Sequence, residues 1–368
     1  MTAAYDVLIA GGGPAGCALA LTLARYTARR VAMVELRGYG GVRVGETLQP
    51  GMESVFRYLG VWDTFCAAGH RPAHSIRSAW GNEELYERSF FMTPHGRGWH
   101  LDRARFDAML AEEAKSAGVT LISPARLTSL ERTPDGWLAR VTRHGESPIE
   151  LHASFIVDAT GRKAPIAVSL GASHLIDDDL VGVYCFGVDD RAQDDEWSTL
   201  IEAAPDGWWY TTFLPDRRLV AAFLTDGDIV KEQRLLSLPR WIELLAKTRH
   251  TRERLLACRA ATRLRAYRAH SRILDPIAGD GWLATGDAAA SHDPLSSMGI
   301  ANALSTGMHA ARAIDAALNG DRSMLDAYAR GIVTHYQSYR AMQRRFYCVE
   351  QRWPEATFWK RRHGRALS

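Results

Sequence analysis

The sequence predicts an α/β fold in which a parallel sheet with helices is interrupted by an antiparallel-sheet domain and followed by a helical C-terminus. Three observations predict it. Over residues 5–35, a glycine-rich turn and an Ala/Leu-rich helix connect two short apolar runs, which is the pattern of a βαβ unit. Segments 75–91 and 181–224 alternate as antiparallel strands do. From Asn302 onward the pattern is nearly all helical.

The βαβ unit consists of a strand over 5–10, a helix over 17–29 and a strand over 31–35. Further helices are expected near 52–60 and over 102–118. No internal repeat or low-complexity linker separates the segments, so the sheet-rich parts are expected to be inserted into the βαβ fold. The expected division assigns 1–75, 101–175 and 271–320 to the cofactor-binding domain, 76–100 and 176–270 to the substrate domain, and 321–368 to a helical tail.

The charge of the chain is nearly balanced but unevenly distributed. There are 45 Lys and Arg residues against 42 Asp and Glu residues, a net charge of +3, which does not indicate a nucleic-acid partner. The segment 340–368 alone carries eight basic and two acidic residues. One interpretation is that this tail docks an acidic partner, steered by Arg344, Arg345, Lys360 and Arg361. The alternative is a solvated terminal helix whose aromatic residues Phe346, Trp353 and Trp359 pack on the core.

Cysteine usage and hydropathy indicate a cytoplasmic protein. The five cysteines are widely separated and form no CxxC pair, which argues against a disulfide framework and against a zinc or other metal site. The N-terminal apolar run is broken by glycines and lacks a basic flank, so no signal peptide is expected. No stretch approaches the length of a membrane span.

The first motif with chemical meaning is GGGPAG, residues 11–16, between the predicted strand and helix. Gly11 permits the tight turn, Gly13 lets the backbone approach a pyrophosphate, and Gly16 permits close helix packing. Pro14 and Ala15 lie just before the predicted helix, whose free N-terminal N–H groups face an anion. Glu35 ends the second strand, where its carboxylate can accept ribose hydroxyls. The alternative is a structural glycine turn with a surface glutamate.

Two later segments add to this motif. IVDATGR (156–162) is a strand ending in a turn with Asp158 and Gly161, and GDAAASHDPLSSMGIAN (286–302) follows another strand. Together with GGGPAG and Glu35, these elements resemble the FAD-binding signature of the para-hydroxybenzoate hydroxylase superfamily. That superfamily contains aromatic monooxygenases, geranylgeranyl-type reductases and flavin-dependent halogenases. The resemblance covers roughly residues 5 to 315 and implies a Rossmann-like FAD-binding fold.

The resemblance implies how the third segment meets FAD. The aspartate matching Asp287 hydrogen-bonds the ribityl chain, small residues leave room for the flavin, and a helix starting near Ser296 points its N-terminus at the flavin N1 and O2 edge, favouring the anionic reduced form. The alternatives are a turn aspartate and a serine N-cap. The residues of this segment expected at FAD are Gly286, Asp287, Pro294, Ser297, Met298, Gly299 and Ile300.

Two further stretches resemble the halogenase-like branch of the superfamily. RVGETLQP (43–50) resembles a segment that lies along the flavin, which places Arg43 at the cofactor. WHLDRARFD (99–107) resembles a helix start from which Arg103 reaches the ribityl-pyrophosphate region. As an alternative, Asp102 caps a helix and Arg103 and Arg105 are solvated.

The chemistry expected from the resemblance is oxygen transfer. Reduced flavin and molecular oxygen (O2) form a C4a-hydroperoxide, which a hydroxylase delivers to an electron-rich ring. The segment 70–82 contains no lysine and GWWYTTFLP lacks Trp-x-Trp-x-Ile-Pro, and both departures argue against halogenation. With no second GxGxxG, NAD(P)H would bind transiently, or a separate reductase would supply electrons.

Within the halogenase-like branch, the motifs look most like flavoproteins that mature protein-derived tryptophylquinone cofactors. The sequence therefore predicts an FAD-dependent monooxygenase that hydroxylates an aromatic ring, with a protein-bound Trp or Tyr of a partner subunit as the expected substrate and a free aromatic compound as the alternative. His292 is a candidate for proton transfer or a structural histidine. Trp208, Trp209 and Tyr210 are candidates to line a substrate cavity, and the alternative is that they are the aromatic residues common in any strand. A halogenase, a geranylgeranyl-type reductase and a non-catalytic FAD-binding chaperone are the alternatives.

Overall fold

The computed structural model describes residues 3–90, 96–189 and 198–364. In these ranges the strands are β1 Ala3–Ala10, β2 Val31–Val34, β3 Thr47–Leu48, β4 Arg71–Ala73, β5 Ser75–Ala79, β6 Tyr86–Ser89, β7 Gly98–His100, β8 Thr120–Ile122, β9 Arg126–Thr133, β10 Gly136–Thr142, β11 Ile149–Asp158, β12 Ser173–Ile176, β13 Leu180–Asp189, β14 Ser198–Ala204, β15 Gly207–Phe213, β16 Arg218–Asp226, β17 Cys258–Ala260, β18 Arg265–Arg268, β19 Arg272–Asp275, β20 Ala278–Gly279, β21 Trp282–Ala284 and β22 Ala290–Ser291.

The helices of the same ranges are α1 Pro14–Tyr26, α2 Glu53–Tyr58, α3 Trp62–Ala67, α4 Arg103–Ser116, α5 Pro165–Ser169, α6 Gly227–Glu232, α7 Leu238–Leu245, α8 His250–Leu255, α9 Gly299–Leu318, α10 Ser323–Val349 and α11 Thr357–Gly364. None of them is both long and apolar enough to cross a membrane.

The first sheet carries the βαβ unit. Its strand order is β20-β21-β11-β1-β2-β8, and β10 pairs with β11 and β9. Strands β1, β2, β8, β11 and β21 pair in parallel, so their carboxyl ends lie at one edge. The central strands are buried on both faces, as the unbroken burial of Val31–Val34 shows. Helix α1 packs between this sheet and α9, and all three sequence motifs end at the same sheet edge.

The second large sheet is antiparallel over most of its length, with the order β17-β13-β16-β15-β14-β5-β6 and with β18 on β13. Strands β5 and β6 come from the segment before α4, and β13 to β18 from the segment after β11. Strand β14 pairs with β5 in parallel, whereas β14, β15 and β16 form antiparallel pairs. The sheet is thus assembled from two insertions, and this matches the architecture that the sequence predicts.

The start of the long helix differs from the prediction of a helix near Ser296. A single 3-10 turn covers Pro294–Ser296, capped by the Asp293 carboxylate, which accepts from Leu295 N at 2.8 Å. Ser297 then has φ +51, a left-handed conformation that a right-handed helix cannot continue through. Helix α9 therefore begins at Gly299. The helical C-terminus itself is confirmed by α9, α10 and α11.

Candidate cofactor and catalytic site

A cavity of about 410 Å³ lies at the carboxyl edge of the parallel sheet and reaches the inner face of the second sheet. Its walls come from the three motif segments and from the segment with Arg43. Thirteen of the predicted cofactor residues line it, namely Gly11, Gly13, Pro14, Ala15, Glu35, Arg43, Arg103, Gly161, Asp287, Pro294, Ser297, Gly299 and Ile300. The predicted candidate His292 lines it too. Residues separated by nearly 300 positions thus meet in one space.

The other four predicted cofactor residues, Gly16, Asp158, Gly286 and Met298, do not line the cavity. A Cβ at Gly16 would lie 2.0 Å from Gly11 O, and one at Gly286 would lie 2.6 Å from Ala15 Cβ, so these two glycines serve helix packing. Asp158 is fully buried and its carboxylate accepts from Ile166 N at 3.0 Å and Ala167 N at 2.9 Å. Asp158 therefore anchors α5 and faces away from the cavity. Met298 precedes α9 as its N-cap residue.

The glycine turn has the geometry that a bound pyrophosphate requires. Gly11 has φ +107, and a Cβ there would lie 2.2 Å from Ala159 O. A Cβ at Gly13 would meet nothing within 4 Å, so the space over Gly13 belongs to the cavity. Helix α1 begins at Pro14, and its unpaired N-terminal N–H groups face that space. The turn therefore fits a dinucleotide phosphate.

Glu35 is held by the turn it faces. Its Oε2 accepts from Gly12 N at 2.8 Å and its Oε1 accepts from Arg37 N at 3.0 Å. These backbone bonds fix the carboxylate at the end of β2, on the cavity wall. Each carboxylate oxygen has a further lone pair for a ribose hydroxyl. The position fits the adenosine end of a dinucleotide.

Arg43 and Arg103 share one buried carboxylate. Asp107 Oδ2 lies 2.7 Å from Arg43 Nη1, and Arg103 Nε lies 3.2 Å from Asp107 Oδ1. Arg103 Nη1 also donates to Val44 O at 2.6 Å and Gly45 O at 3.0 Å. The Arg103 side chain is only 13% exposed, which contradicts the alternative of a solvated Arg103. Two cations on one anion leave a net positive wall, which suits an anionic cofactor.

Asp287 is oriented by arginine contacts on both sides. Arg162 Nε lies 3.3 Å from Asp287 Oδ2, and Arg272 Nη2 donates to Asp287 O at 2.9 Å. The Asp287 side chain is still 36% exposed toward the cavity. Its carboxylate is therefore charge-compensated, yet it keeps lone pairs free for a hydroxyl donor such as a ribityl chain.

Glu46 is a titratable group that the sequence interpretation passed over, although it lies within the quoted VGET segment. It lines the cavity, is 2% exposed, and its Oε1 has no hydrogen-bond partner in the described part of the chain. Burial raises the pKa of this carboxyl to about 7. The sequence carried no signal for this, because the burial depends on β13 and β15, whose Tyr184 and Tyr210 line the same space.

A row of buried hydroxyls backs Glu46. The Tyr210 hydroxyl lies beside the carboxyl and 2.8 Å from Thr47 Oγ1. Thr47 Oγ1 lies 3.3 Å from Thr199 Oγ1, which lies 3.1 Å from His100 Nε2. Burial lowers the pKa of His100 to about 3, so its imidazole is neutral. The row holds the hydroxyls in place and gives the Glu46 region polar contacts without a second charge.

His292 is buried at the junction of the cavity with α10. Its ring centroid lies 4.5 Å from that of Tyr339, nearly perpendicular. Burial lowers the pKa of His292 to about 4, so the imidazole is uncharged near neutral pH. The group is therefore available as a hydrogen-bonding partner or proton acceptor, and not as a fixed cation.

The tryptophan candidates do not line the cavity. Trp208 and Trp209 are fully buried in separate clusters on the two faces of the second sheet, because neighbouring residues of a strand point to opposite sides. Trp208 Nε1 donates to Tyr347 Oη at 3.1 Å. Of the three candidates only Tyr210 reaches the cavity.

The glycine turn at a helix start, the acid ending β2 and the fixed aspartate of the third segment define a dinucleotide-binding flavoprotein. The chain belongs to the FAD binding domain family, whose model matches residues 4–338. The predicted FAD-binding fold and the assignment as a flavin-dependent oxidoreductase are thereby confirmed.

Similar proteins span almost the whole chain. The putative FAD-dependent oxidoreductase LodB of Marinomonas mediterranea is 31% identical over 366 residues, which cover 98% of this chain and 97% of that protein. The structure of the myxobacterial chondrochloren halogenase CndH aligns with a TM-score of 0.89 and 22% identity over 99% of this chain and 88% of CndH. The peptidyl tryptophan dihydroxylase QhpG, described as essential for tryptophylquinone cofactor biogenesis, aligns with a TM-score of 0.73 and 24% identity over 98% and 79%.

Proposed function

We propose that this protein is an FAD-dependent monooxygenase that hydroxylates an aromatic ring, and that its substrate is a protein-bound Trp or Tyr during quinone-cofactor biogenesis. The observation that carries the reaction class is the buried carboxyl of Glu46, whose pKa is raised to about 7 beside two cavity tyrosines. A group with this pKa both accepts and releases protons near neutral pH.

FAD, when bound, supplies the redox chemistry and, once reduced by NAD(P)H or a reductase, the activation of molecular oxygen. The chain holds it through the glycine turn at the pyrophosphate, Glu35 at the ribose and Asp287 at the ribityl chain. The positive wall formed by Arg43 and Arg103 attracts the cofactor's phosphates.

Glu46 handles the proton of the reaction. Ring hydroxylation replaces a ring C–H bond by C–O, and the ring regains aromaticity when that carbon loses its proton. The Glu46 carboxylate accepts this proton, while Tyr184 and Tyr210 present ring edges and hydroxyls that orient a flat substrate. His292 lines the same cavity as a second, uncharged proton acceptor.

Protein substrates are supported by two observations. The chain shares the fold of QhpG, whose described substrate is a peptidyl tryptophan. In addition, Met342, Phe346 and Val349 form an exposed apolar stripe on α10, at 42%, 53% and 57% exposure. Arg344 and Arg345 flank this stripe, and both are exposed. An acidic partner surface with an apolar centre is complementary to it.

The surface available for docking is smaller than the whole basic tail, because carboxylates of the same chain pair with most of the tail's basic residues. Arg361 pairs with Asp228, and Lys360 with Glu355 at 3.1 Å. Trp359 is fully buried, as the packing alternative predicts, whereas Phe346 is exposed. Of the four steering cations, Arg344 and Arg345 alone form no ion pair within the described residues, so the proposed docking surface is confined to α10.

Halogenation is the second candidate, since the fold is shared with CndH. The resemblance on which halogenation rests requires a lysine at the active site. The chain has five lysines, Lys115, Lys163, Lys231, Lys247 and Lys360, and none of them lines the described cavity. A reductase or an FAD-binding chaperone would use no oxygen, which separates them from the proposal.

Product analysis tests the reaction class. FAD-loaded protein is reduced without oxygen, then mixed with isotopically labelled oxygen, chloride, bromide and a panel of indoles and phenols. We expect a ring product that carries one labelled oxygen atom and no halogenated product. A halogenated ring would assign the protein to the halogenases, and reoxidation with no labelled product from any indole or phenol would overturn the proposed reaction class.

A further inference from the structure

A second cavity, of about 470 Å³, lies between α9 and α10 and is here called the interhelical cleft. Its α9 wall includes His309, Arg312 and Ala313, and its α10 wall includes Gly331 and His335. The size is within the range of sites for small organic molecules. The cleft opens on the side of α9 that faces α10. The cavity of about 410 Å³ described above, here called the FAD cavity, instead meets the N-terminal end of α9.

The space exists because facing positions carry small residues. Ala303 and Ala313 of α9 and Ala327 and Gly331 of α10 line it. A Cβ at Gly331 would meet nothing within 4 Å, so no contact within the described chain requires glycine there. Glycine in a helix interior lowers helix stability relative to alanine. Closely packed helices would fill such a gap with side chains, yet here it is left open.

The polar groups of the cleft are biased toward cations and N–H donors. Arg312 is exposed at the mouth and forms no ion pair within the described residues. Its Cζ lies 5.2 Å from the centroid of the Tyr58 ring. His309 and His335 are also exposed at the mouth. The single carboxylate among the lining residues is Asp287, which is already paired with Arg162. A carboxylate ligand therefore meets an unpaired guanidinium with no repelling unpaired acid nearby.

The deeper part of the cleft is apolar and partly aromatic. Ala290, Tyr328 and Ile332 are buried there, and His292 forms part of the floor. The Tyr328 hydroxyl is occupied because it donates to Ala284 O at 2.9 Å, so Tyr328 offers the cleft mainly ring surface. Flat aromatic groups pack favourably against such rings.

We propose that the interhelical cleft is a second ligand site that binds a small aryl carboxylate. The ring lies between α9 and α10 over Gly331, and the carboxylate faces Arg312 and His309 at the mouth. This site is separate from the aromatic substrate site proposed above and does not depend on it. Asp287, His292 and Ala303 line both cavities, so occupancy of the cleft is coupled to the FAD site, and the coupling is reciprocal.

Calorimetric titration of the FAD-loaded protein with phenylacetate tests the site, with phenylacetamide as a matched neutral ligand. Because a charge-assisted hydrogen bond is lost, we expect the amide to bind at least about tenfold more weakly. Phenylacetate should also perturb the FAD absorbance spectrum, and Arg312→Gln should weaken phenylacetate at least about fivefold without affecting the amide.

The cleft-filling variant Gly331→Leu separates the cleft from the FAD cavity. Its side chain enters open space, so the variant should fold, retain FAD and lose phenylacetate binding. Val333→Leu is the control, because Val333 lies on the same helix, is 38% exposed and does not line the cleft. Equal affinity for acid and amide would overturn the proposal. So would phenylacetate binding that persists in Gly331→Leu, which would place the ligand in the FAD cavity. Should Gly331→Leu fail to fold, Arg312→Gln decides.

Discussion

Asp287 and Arg162 join the second and third sequence motifs through an ion pair of 3.3 Å between Oδ2 and Nε. Arg162 also donates to His270 O at 2.8 Å and to His292 O at 3.0 Å. One guanidinium therefore connects the turn after β11, the segment between β18 and β19, and the loop that follows Asp287. A side chain with fewer donors cannot hold all three segments.

Replacing Arg162 should weaken FAD binding. In Arg162→Gln the Asp287 carboxylate loses its partner and the loop with His292 loses a donor, so we expect the FAD dissociation constant to rise at least about tenfold. Arg162→Lys should recover part of the loss, because it restores the charge but not the fork of donors. Quenching of FAD fluorescence measures both. Arg140→Gln, at an exposed pair with Glu150, is the control, and an equal loss in this variant would contradict the account.

Gly11 and Gly13 should respond differently to alanine. Gly11→Ala places a Cβ 2.2 Å from Ala159 O at φ +107, so we expect the FAD-free protein to lose about 1–3 kcal/mol of unfolding free energy or more. In Gly13→Ala the new methyl group points into open space, so the free energy of unfolding should be unchanged. FAD affinity should fall at least about tenfold, because this methyl group occupies the path of the pyrophosphate. Urea unfolding and FAD titration of both variants measure this. Unimpaired FAD binding by Gly13→Ala would contradict the placement of the pyrophosphate.

The pH dependence of stability should report Glu46. Its pKa is 4.5 when exposed and about 7 in the fold, so between these values the folded state holds a proton that the unfolded state releases. The contribution, on the order of 3 kcal/mol, is fully present below pH 4.5 and is lost as pH rises through about 7. Glu46→Gln cannot titrate, so it should gain stability relative to the parent protein as pH rises through this window. The midpoints of urea unfolding of the FAD-free proteins, measured as a function of pH, report this difference, and Glu112→Gln at an exposed position is the control. Parallel stability curves for the parent protein and Glu46→Gln would rule out the raised pKa of Glu46.

The turnover of Glu46→Gln should separate proton transfer from binding. The amide keeps the size and polarity of the carboxyl but cannot accept the ring proton. We expect the rate of aromatic hydroxylation to fall roughly 10²–10⁴-fold, with FAD affinity nearly unchanged, since Glu46 faces the tyrosines of the second sheet. In the parent protein the rate of hydroxylation should rise near pH 7 as Glu46 loses its proton. Single-turnover product analysis over pH 5–9 should show no such rise in Glu46→Gln. A variant with parental rate and pH profile would exclude Glu46 as the proton acceptor.

The wall of the cavity that we assign to FAD was largely predictable from sequence because its signals are local. A glycine whose Cβ would meet a backbone oxygen, or an acid at a strand end, keeps the same neighbours wherever the βαβ unit occurs. Gly11, Gly16 and Glu35 are of this kind. Asp158 shows the limit of such reasoning, because its position in the motif did not reveal that Oδ2 accepts from the start of α5 while Oδ1 accepts from Thr160.

The part of the site that we propose to be catalytic was not predictable, because it depends on contacts between distant segments. Glu46 acquires its raised pKa from burial against Tyr184 and Tyr210, more than 130 positions away. In the same way, Arg361 and Arg362 look like a free basic patch until the fold brings Asp226 and Asp228 to them. Burial and pairing of charges are properties of the tertiary structure, and a single sequence carries no periodic signal for them.

The most direct test of the central claim is a single turnover on a peptidyl substrate. FAD-loaded, fully reduced protein is mixed with isotopically labelled oxygen and a tryptophan-containing peptide with flanking acidic residues, and the peptide is analysed by mass spectrometry. We expect labelled oxygen in the indole ring of this peptide. The same peptide with phenylalanine in place of tryptophan should stay unmodified, and Glu46→Gln should lose most of the product. Oxidation of the reduced protein with all oxygen recovered as hydrogen peroxide, and with no labelled atom on any peptide or free indole, would contradict it.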